Sequence, residues 1–281
     1  MALFAPVAPP QLLLELRAIG DFLPGTYHLL LAHDVLEQPH NYDPETGFIP
    51  PTSLVILDNS MIELGHPIEP EMLMDAAEIV KPKLIVLPDV RGDAKATVQL
   101  SLEMAAKYKL PNSDTRWMCV IQGRTDLEMY ECAQALFAAL GNKIGCWGIG
   151  RTAVEDLGSR VPLVKMLTGS FPLHGFYGKY VHLLGFSSSI KDDYEAMQLW
   201  GVLGIDSAVP LRMGQDKKLL SLDQVDPGPR GDFWTRHFDN VEAETIANLY
   251  IIRSWASNML RFRSAALPSP VASTGTSVHR G

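Results

Sequence analysis

Three acids and one amide that could do chemistry stand at the ends of apolar runs of strand length. Asp58 closes the run 54–57, Asp89 follows 83–88, Gln122 closes 117–121, and Asp206 lies inside the stretch Gly201-Val202-Leu203-Gly204-Ile205-Asp206-Ser207-Ala208-Val209-Pro210-Leu211-Arg212. A carboxylate in such a run is costly. Leaving water disfavours its charged form, so it needs partners or a function. A single aspartate at a strand end ordinarily forms the next turn. Three of them, each tied to an apolar run, point to a shared site. A carboxylate accepts two adjacent N–H groups, and a side-chain amide with a nearby backbone N–H donates to a carbonyl. Together these complement a guanine edge, with its N1–H, its 2-amino group and its 6-oxo group. Two spare carboxylates then serve as nucleophile and as acid/base. The competing use is a divalent metal held by Asp58, Asp89, Asp206, His28 and His182. That reading lacks a His-x-His pair after the first strand, and both histidines read equally well as packing residues.

The elements that must position these residues alternate. Apolar runs occur at 3–8, 27–32, 54–58, 83–89, 117–123, 143–150, 180–186 and 201–209. Amphipathic or capped segments at 11–19, 70–80, 94–108, 126–140 and 190–200 read as helices between them. Continuous apolar runs rather than alternating ones are the mark of buried parallel strands. Eight of them in strand–helix alternation predict an α/β protein with a (β/α)8 TIM-type barrel and a C-terminal helical extension. An open doubly wound sheet is the fallback, weakened because the glycines of 145–150 do not form Gly-x-Gly-x-x-Gly ahead of a helix. Residues 36–52 read as a loop. The barrel is expected over 1–212, the extension over 213–265 with a helix at 241–262, and a disordered tail over 266–281. In a barrel, strand C-termini share one face, and active sites form there. That face would gather Asp58, Asp89, Gln122, Asp206 and the glycine-rich backbone of 145–150.

Composition narrows the function classes. The chain has 281 residues, 47% of them hydrophobic, enough for one large core, and a net charge of −8. A bulk basic surface is absent, so a nucleic-acid partner would need a local patch. The three cysteines, Cys119, Cys132 and Cys146, have no metal-like spacing and suit a reduced, cytoplasmic protein. No basic segment followed by a long apolar core opens the chain, and no run reaches the ~18 apolar residues of a membrane span. Neither a signal peptide nor a membrane partner is expected.

Five segments, in order, resemble the tRNA-guanine transglycosylases and their DNA-modifying relatives, which share a (β/α)8 barrel. Gly25-Thr26-Tyr27-His28-Leu29 is similar to Asn-Thr-Tyr-His-Leu, and Leu57-Asp58-Asn59-Ser60 sits where the family has Thr-Asp-Ser-Gly-Gly. Val120-Ile121-Gln122-Gly123 resembles the family's Gln-Gly strand end. Residues 144–151 resemble Val-Gly-Gly-Leu-Ala-Val-Gly-Glu. His182-Leu183-Leu184-Gly185-Phe186 with residues 204–212 resembles Tyr-Leu-Met-Gly-Val-Gly followed by Gly-Val-Asp-Met-Phe-Asp-Cys-Val-x-Pro-Thr-Arg. The resemblance implies a pentosyltransferase that exchanges guanine in a polynucleotide. Asp206 would attack C1′ of the nucleoside, Asp58 would handle the proton of the leaving or entering base, and Asp89 and Gln122, with Gly123, would recognise the base. The backbone around Cys146, Trp147 and Gly148 would meet the 6-oxo group and the 7-substituent.

The departures bear on the substrate. The family's tRNA enzymes carry Cys-x-Cys-x-x-Cys after the barrel motif, and no cysteine lies beyond Cys146 here, so no zinc and no other metal or cofactor is expected. Arg151 replaces the Glu that accompanies an aminomethyl-bearing base, which disfavours a cationic substituent and favours a neutral, preQ0-like 7-deazaguanine. The partners expected are therefore a polynucleotide, DNA ahead of tRNA, and the free 7-deazaguanine base; a homodimer is left open, and the expected compartment is the cytoplasm, that of the host for a phage-borne chain. Arg151, Arg212, Lys217 and Lys218, with Arg91, Arg124, Arg230 and Arg236, are the candidates for phosphate contacts. The alternatives are a zinc-free tRNA enzyme, a catalytically silent relative that binds nucleic acid or a partner subunit, and a metal-dependent hydrolase.

Overall fold

The computed structural model describes residues 2–19, 27–42, 49, 53–169, 180–224, 233–234 and 240–257. The first turn of the barrel runs β1 (Leu3–Pro6), α1 (Pro10–Ala18), β2 (Tyr27–Leu31), α2 (Ala32–Glu37) and β3 (Leu54–Asp58). It continues through α3 (Met61–Leu64), α4 (Pro70–Val80), β4 (Leu84–Val86), α5 (Ala94–Lys107), β5 (Arg116–Ile121), α6 (Asp126–Leu140) and β6 (Ile144–Gly150). The last part is α7 (Ala153–Leu157), α8 (Val161–Gly169), β7 (Tyr180–Leu184), α9 (Ile190–Met197), β8 (Val202–Ser207), α10 (Val209–Gln215) and α11 (Ala243–Ser257). The eight strands are parallel and hydrogen-bonded in the order β1-β8-β7-β6-β5-β4-β3-β2. β1 returns beside β2 to bring the sheet to near closure. The expected (β/α)8 architecture is the one observed.

The pleat sorts each apolar run into two faces. Ala5, Leu29, Ile56, Val86, Val120 and Cys146 pack together inside the barrel. Their sequence neighbours, among them Phe4, Leu57, Ile85, Ile121 and Trp147, pack in the layer between strands and helices. This is why the runs are apolar at every position. The same parity turns Asp58 on β3, His182 on β7 and Asp206 on β8 to the interior, with Gln122 just past β5. The helices start where their sequences dictate. Asp93 caps α5 by accepting from the Ala96 N–H at 2.9 Å, and Thr125 caps α6 through the Glu128 N–H at 3.2 Å.

Several elements depart from the expectation. Residues 36–52 contain the end of α2 and a 3-10 turn over Pro39–Tyr42 rather than only loop. The short helices α3, α7 and α10 span fewer than about two turns, too few for a 3.6-residue period to show. In α8 the proline at 162 sits in the first turn, where its missing N–H removes no helical bond. The predicted helix at 241–262 begins at Ala243; its end, the tail 266–281, Arg230 and Arg236 lie outside the described residues. No helix among the described residues is long and apolar enough to cross a membrane.

The extension is stitched to the barrel. The fully buried Asn248 on α11 accepts the Leu220 N–H at 2.6 Å and donates to the Pro210 and Lys218 carbonyls at 3.0 and 2.9 Å. Gly214 lets α10 and α11 touch: a Cβ there would lie 2.2 Å from the Thr245 Cα. Because the clash is with backbone, neither helix can yield by a rotamer change. Gly214→Ala is expected to cost about 1–3 kcal/mol in urea unfolding, the range for overpacking; an unchanged midpoint contradicts this packing.

Candidate active site

Asp206 is 8% exposed and is reached by two hydrogen-bond donors. His182 Nε2 lies 2.9 Å from Asp206 Oδ1, and the Gly185 N–H donates to the same oxygen at 3.1 Å. The other imidazole nitrogen, Nδ1, meets the Tyr27 hydroxyl in a short contact. Burial first, then the charges of Cys146 and Asp206, holds the Tyr27 phenol well above its ordinary pKa. A phenol so held keeps its proton and donates it to Nδ1. Nε2 then carries the ring hydrogen and donates to Asp206. Among the described residues both bonds end on Oδ1, which leaves Oδ2 to the cavity. Gly185 adopts φ +68°, a left-handed conformation open to glycine, and this turns its N–H back to the carboxylate.

On the opposite wall, Asp58 ends β3. Its Oδ1 accepts the Ser60 N–H at 2.7 Å. Ser60 itself sits at φ 60°, left-handed without being glycine. The loop after Asp58 thus takes a conformation suited to glycine, which the resembled pattern carries there. Burial first and then the Glu63 charge push the Asp58 carboxyl well above its usual range, the Ser60 bond pulls it down, and Asp206 and Asp89 raise it further. Burial thus favours the protonated form of Asp58. Three residues beyond β4, Asp89 Oδ2 accepts from Gln122 Nε2 at 2.6 Å, and Gln122 Oε1 accepts the Gly92 N–H at 3.1 Å. These two bonds fix the amide orientation and leave Nε2 a second hydrogen. Burial lifts the Asp89 carboxyl to about 6, against hydrogen bonds from Gln122 and Asn59.

A single cavity of about 280 Å³ opens at the C-terminal ends of the strands and is lined by Asp58, Asp89, Gln122 and Asp206 together. The four polar groups singled out in the sequence thus share one space. Of the phosphate-contact candidates, Arg91, Arg151 and Arg212 line it too. Arg91 pairs with Glu155 across the rim. Lys217 and Lys218 stand exposed on the turn after α10, with Lys217 3.7 Å from Glu242, and neither lines the cavity; Arg124 is exposed beside Gly92. The expected base-binding residues of β6 lie deeper. Cys146 faces the barrel interior below the cavity, Trp147 faces the helices, and the cavity meets this strand's end at Gly150 and Arg151. Gly148 lies against Leu184 and Val120, and Gly123 against Glu128 and Met129. His28 is buried away from the cavity, its Nε2 has no hydrogen-bond partner among the described residues, and burial lowers its pKa to about 4. Among the described residues no three His, Cys, Asp or Glu side chains are grouped to hold a metal ion.

Glu63 escaped the sequence reading, and His182 was read only as a metal-ligand or packing candidate. Glu63, on the four-residue α3, lines the cavity with a buried Oε2 that has no hydrogen-bond partner among the described residues. Burial pushes its carboxyl up to about 7, opposed by its own N–H; Asp206 and Asp34 add to the rise, and Arg151 opposes it. Nothing in a turn so short marks it. His182 was readable by parity: it lies two residues before Leu184 on the inward face of β7, whose neighbour β8 carries Asp206. Phe233 and Trp234, from the extension, also line the cavity. No family model matches the chain, and no curated protein matches its sequence.

The raised pKa of Asp89 is a stability statement. Its folded value, about 6, exceeds the ordinary 3.8. The folded state therefore holds a proton that the unfolded chain has lost, and this contribution is full below 3.8 and disappears as pH rises through about 6. Asp89→Asn has no such dependence. Its stability relative to the native protein is expected to improve by on the order of 2–3 kcal/mol between about pH 4 and about pH 7. A difference that stays flat in urea unfolding at the two pH values contradicts the burial of this carboxyl.

Proposed function

We propose that the cavity exchanges a guanine of a polynucleotide for a free 7-deazaguanine through a covalent bond between Asp206 and the sugar. The observation that carries this reading is the Asp89–Gln122 pair, oriented as a recognition edge and sharing one base-sized cavity with two further acids, Asp58 and Asp206. Asp89 as a carboxylate accepts N1–H and the 2-amino group. The free hydrogen of Gln122 Nε2 donates to the 6-oxo group. Asp206, held by Oδ1, presents Oδ2 to C1′. Asp58, in which burial favours the protonated form, faces the departing ring. The division of two carboxyls into nucleophile and acid by environment alone is an established catalytic arrangement.

The steps balance. Asp206 Oδ2 forms a bond to C1′ as the bond from C1′ to N9 of guanine breaks. The Asp58 proton goes to the departing base, which leaves neutral. The incoming 7-deazaguanine returns its N9–H proton to Asp58, and N9 displaces Asp206 from C1′. No net proton, water or electron is consumed. The base must leave its stack to enter the cavity, and Arg91, Arg151 and Arg212 at its walls and mouth suit the flanking phosphates. Arg151 at the end of β6 favours a neutral 7-substituent over a cationic one. DNA is favoured over tRNA because the cysteine pattern that accompanies the tRNA-binding region is absent from this chain. This reading and its cytoplasmic setting rest on the resemblance together with the cavity's chemistry.

Radiolabelled guanine incubated with the protein and either duplex DNA or tRNA is expected to enter the DNA, with incorporation lost in Asp206→Asn and reduced about 100-fold or more in Asp58→Asn. Guanine binding, read by equilibrium dialysis, is expected to weaken as pH falls below about 6, where Asp89 gains its proton. Incorporation into neither polynucleotide contradicts exchange. Binding of nucleic acid without exchange identifies a silent relative instead.

A further inference from the structure

Behind the wall that carries Asp206, outside the cavity, lies a buried ion pair that the exchange chemistry above does not use. Arg160 precedes α8 and is 0% exposed. Its Nη2 donates to Asp193 Oδ1 on α9 in a short contact. Asp193 also accepts the Ser187 N–H at 2.7 Å and the Ser187 hydroxyl at 2.9 Å. The other arm of the guanidinium, Nη1, donates to three carbonyls at the ends of two strands: Ile149 at 3.3 Å, Leu184 at 3.4 Å and Gly185 at 3.0 Å. A fixed cation is costly to bury, and replacing such pairs by apolar groups is often neutral or stabilising. Stability alone is thus a poor reason for this pair to sit where the site is built.

One of those carbonyls decides what the pair does. The Leu184 C=O and the Gly185 N–H belong to the same peptide group. The carbonyl end accepts from Arg160 at 3.4 Å, and the N–H end donates to Asp206 Oδ1 at 3.1 Å. A peptide whose oxygen is held by a cation is polarised, and its N–H becomes a stronger donor. The Arg160 guanidinium presents its donors in a fixed planar fork. It also clamps the next carbonyl, that of Gly185, so the left-handed turn that aims the N–H cannot swing away.

We propose that Arg160 is a positioning residue for Asp206, acting through the 184–185 peptide to hold and polarise the N–H that supports the nucleophile's charge. The proposal rests on the reading of Asp206 as nucleophile. It assigns Arg160 no contact with substrate, because Arg160 does not line the cavity. It also explains why the pair bridges the ends of β6 and β7 rather than the barrel's far end: both strand ends must be in place for the Gly185 N–H to meet Asp206.

The test compares Arg160→Met with Arg160→Lys, which keeps the charge. The direct readout is the Gly185 amide proton, observed by NMR after carbonyl-13C leucine and 15N glycine labelling. The chain has five Leu–Gly peptides, so the signal is assignable. In Arg160→Met the Gly185 amide proton moves upfield, and in Arg160→Lys it stays near its native position. In guanine exchange with duplex DNA, kcat falls about tenfold in Arg160→Met, a smaller loss than removal of a donor outright. The KM for guanine changes by less than about twofold, since the Asp89–Gln122 edge is untouched, and Arg160→Lys recovers most of kcat. An unmoved amide proton, a lysine variant that behaves like the methionine one, or a loss confined to KM overturns the proposal. Should Arg160→Met not fold, Asp193→Asn replaces it: with the anion gone, the guanidinium's charge is less neutralised, the Gly185 amide proton moves downfield, and no movement overturns the proposal. If the native protein exchanges no guanine, the functional reading fails while the amide shifts still decide the role of Arg160.

Discussion

The structure depends on supplying hydrogen-bond partners to one carboxyl group buried in a barrel wall. Asp206 has left most of the water that would solvate it, and the cost of that is offset by two donors on a single oxygen, the His182 imidazole and the Gly185 N–H. Each donor needs its own support. His182 is held in one tautomer by the Tyr27 hydroxyl, which comes from β2 on the far side of the barrel from β7. Gly185 is held by a left-handed turn and by the guanidinium behind it. Strand register does the rest: His182 pairs with Gly204, two residues before Asp206, so the imidazole and the carboxylate lie on one inward face. A slip of one residue in either strand would turn one of them into the helix layer.

The opposite wall applies the reverse logic. Asp58 receives one backbone N–H and is surrounded by other acids, so burial raises its pKa well above the usual carboxylate range. Asp89 stands between these extremes, with burial opposed by two side-chain donors. Glu63 adds a carboxyl that titrates near neutrality, at about 7, beside the same space. Burial raises Asp58, Asp89 and Glu63 alike, and their differing neighbours and hydrogen-bond partners set how far each is opposed. Arg91, Arg151 and Arg212 at its wall and mouth set cations beside this cluster of acids, a combination that a net charge of −8 conceals.

Much of this was legible in the sequence, and the reason is periodicity. Parallel strands buried on both faces appear as unbroken apolar runs, so eight runs and the polar residue ending each could be read directly. Asp58, Asp89, Gln122 and Asp206 were found that way, and the barrel brings them to one cavity. What escaped was short or relational. The four-residue α3 has no period, so Glu63 on it left no trace. The Tyr27–His182–Asp206 chain joins three strands, and nothing local to Tyr27 or His182 tied either of them to Asp206. Arg160 carried no local signal, since its partners lie at Ile149, Leu184, Gly185 and Asp193. Lys217 and Lys218 are near Asp206 in sequence, yet they stand exposed beyond α10 and do not line the cavity.

The central claim is that Asp206 forms a bond to a sugar carbon while the base is exchanged. The most direct measurement is a denaturing trap: the protein is mixed with end-labelled duplex DNA in the absence of free base, quenched in acid, and any protein–DNA adduct is digested and mapped by mass spectrometry. The account predicts an adduct on the peptide that contains Asp206, absent in Asp206→Asn and discharged by added guanine. An adduct on a different side chain, or guanine exchange that proceeds at full rate in Asp206→Asn, would contradict it.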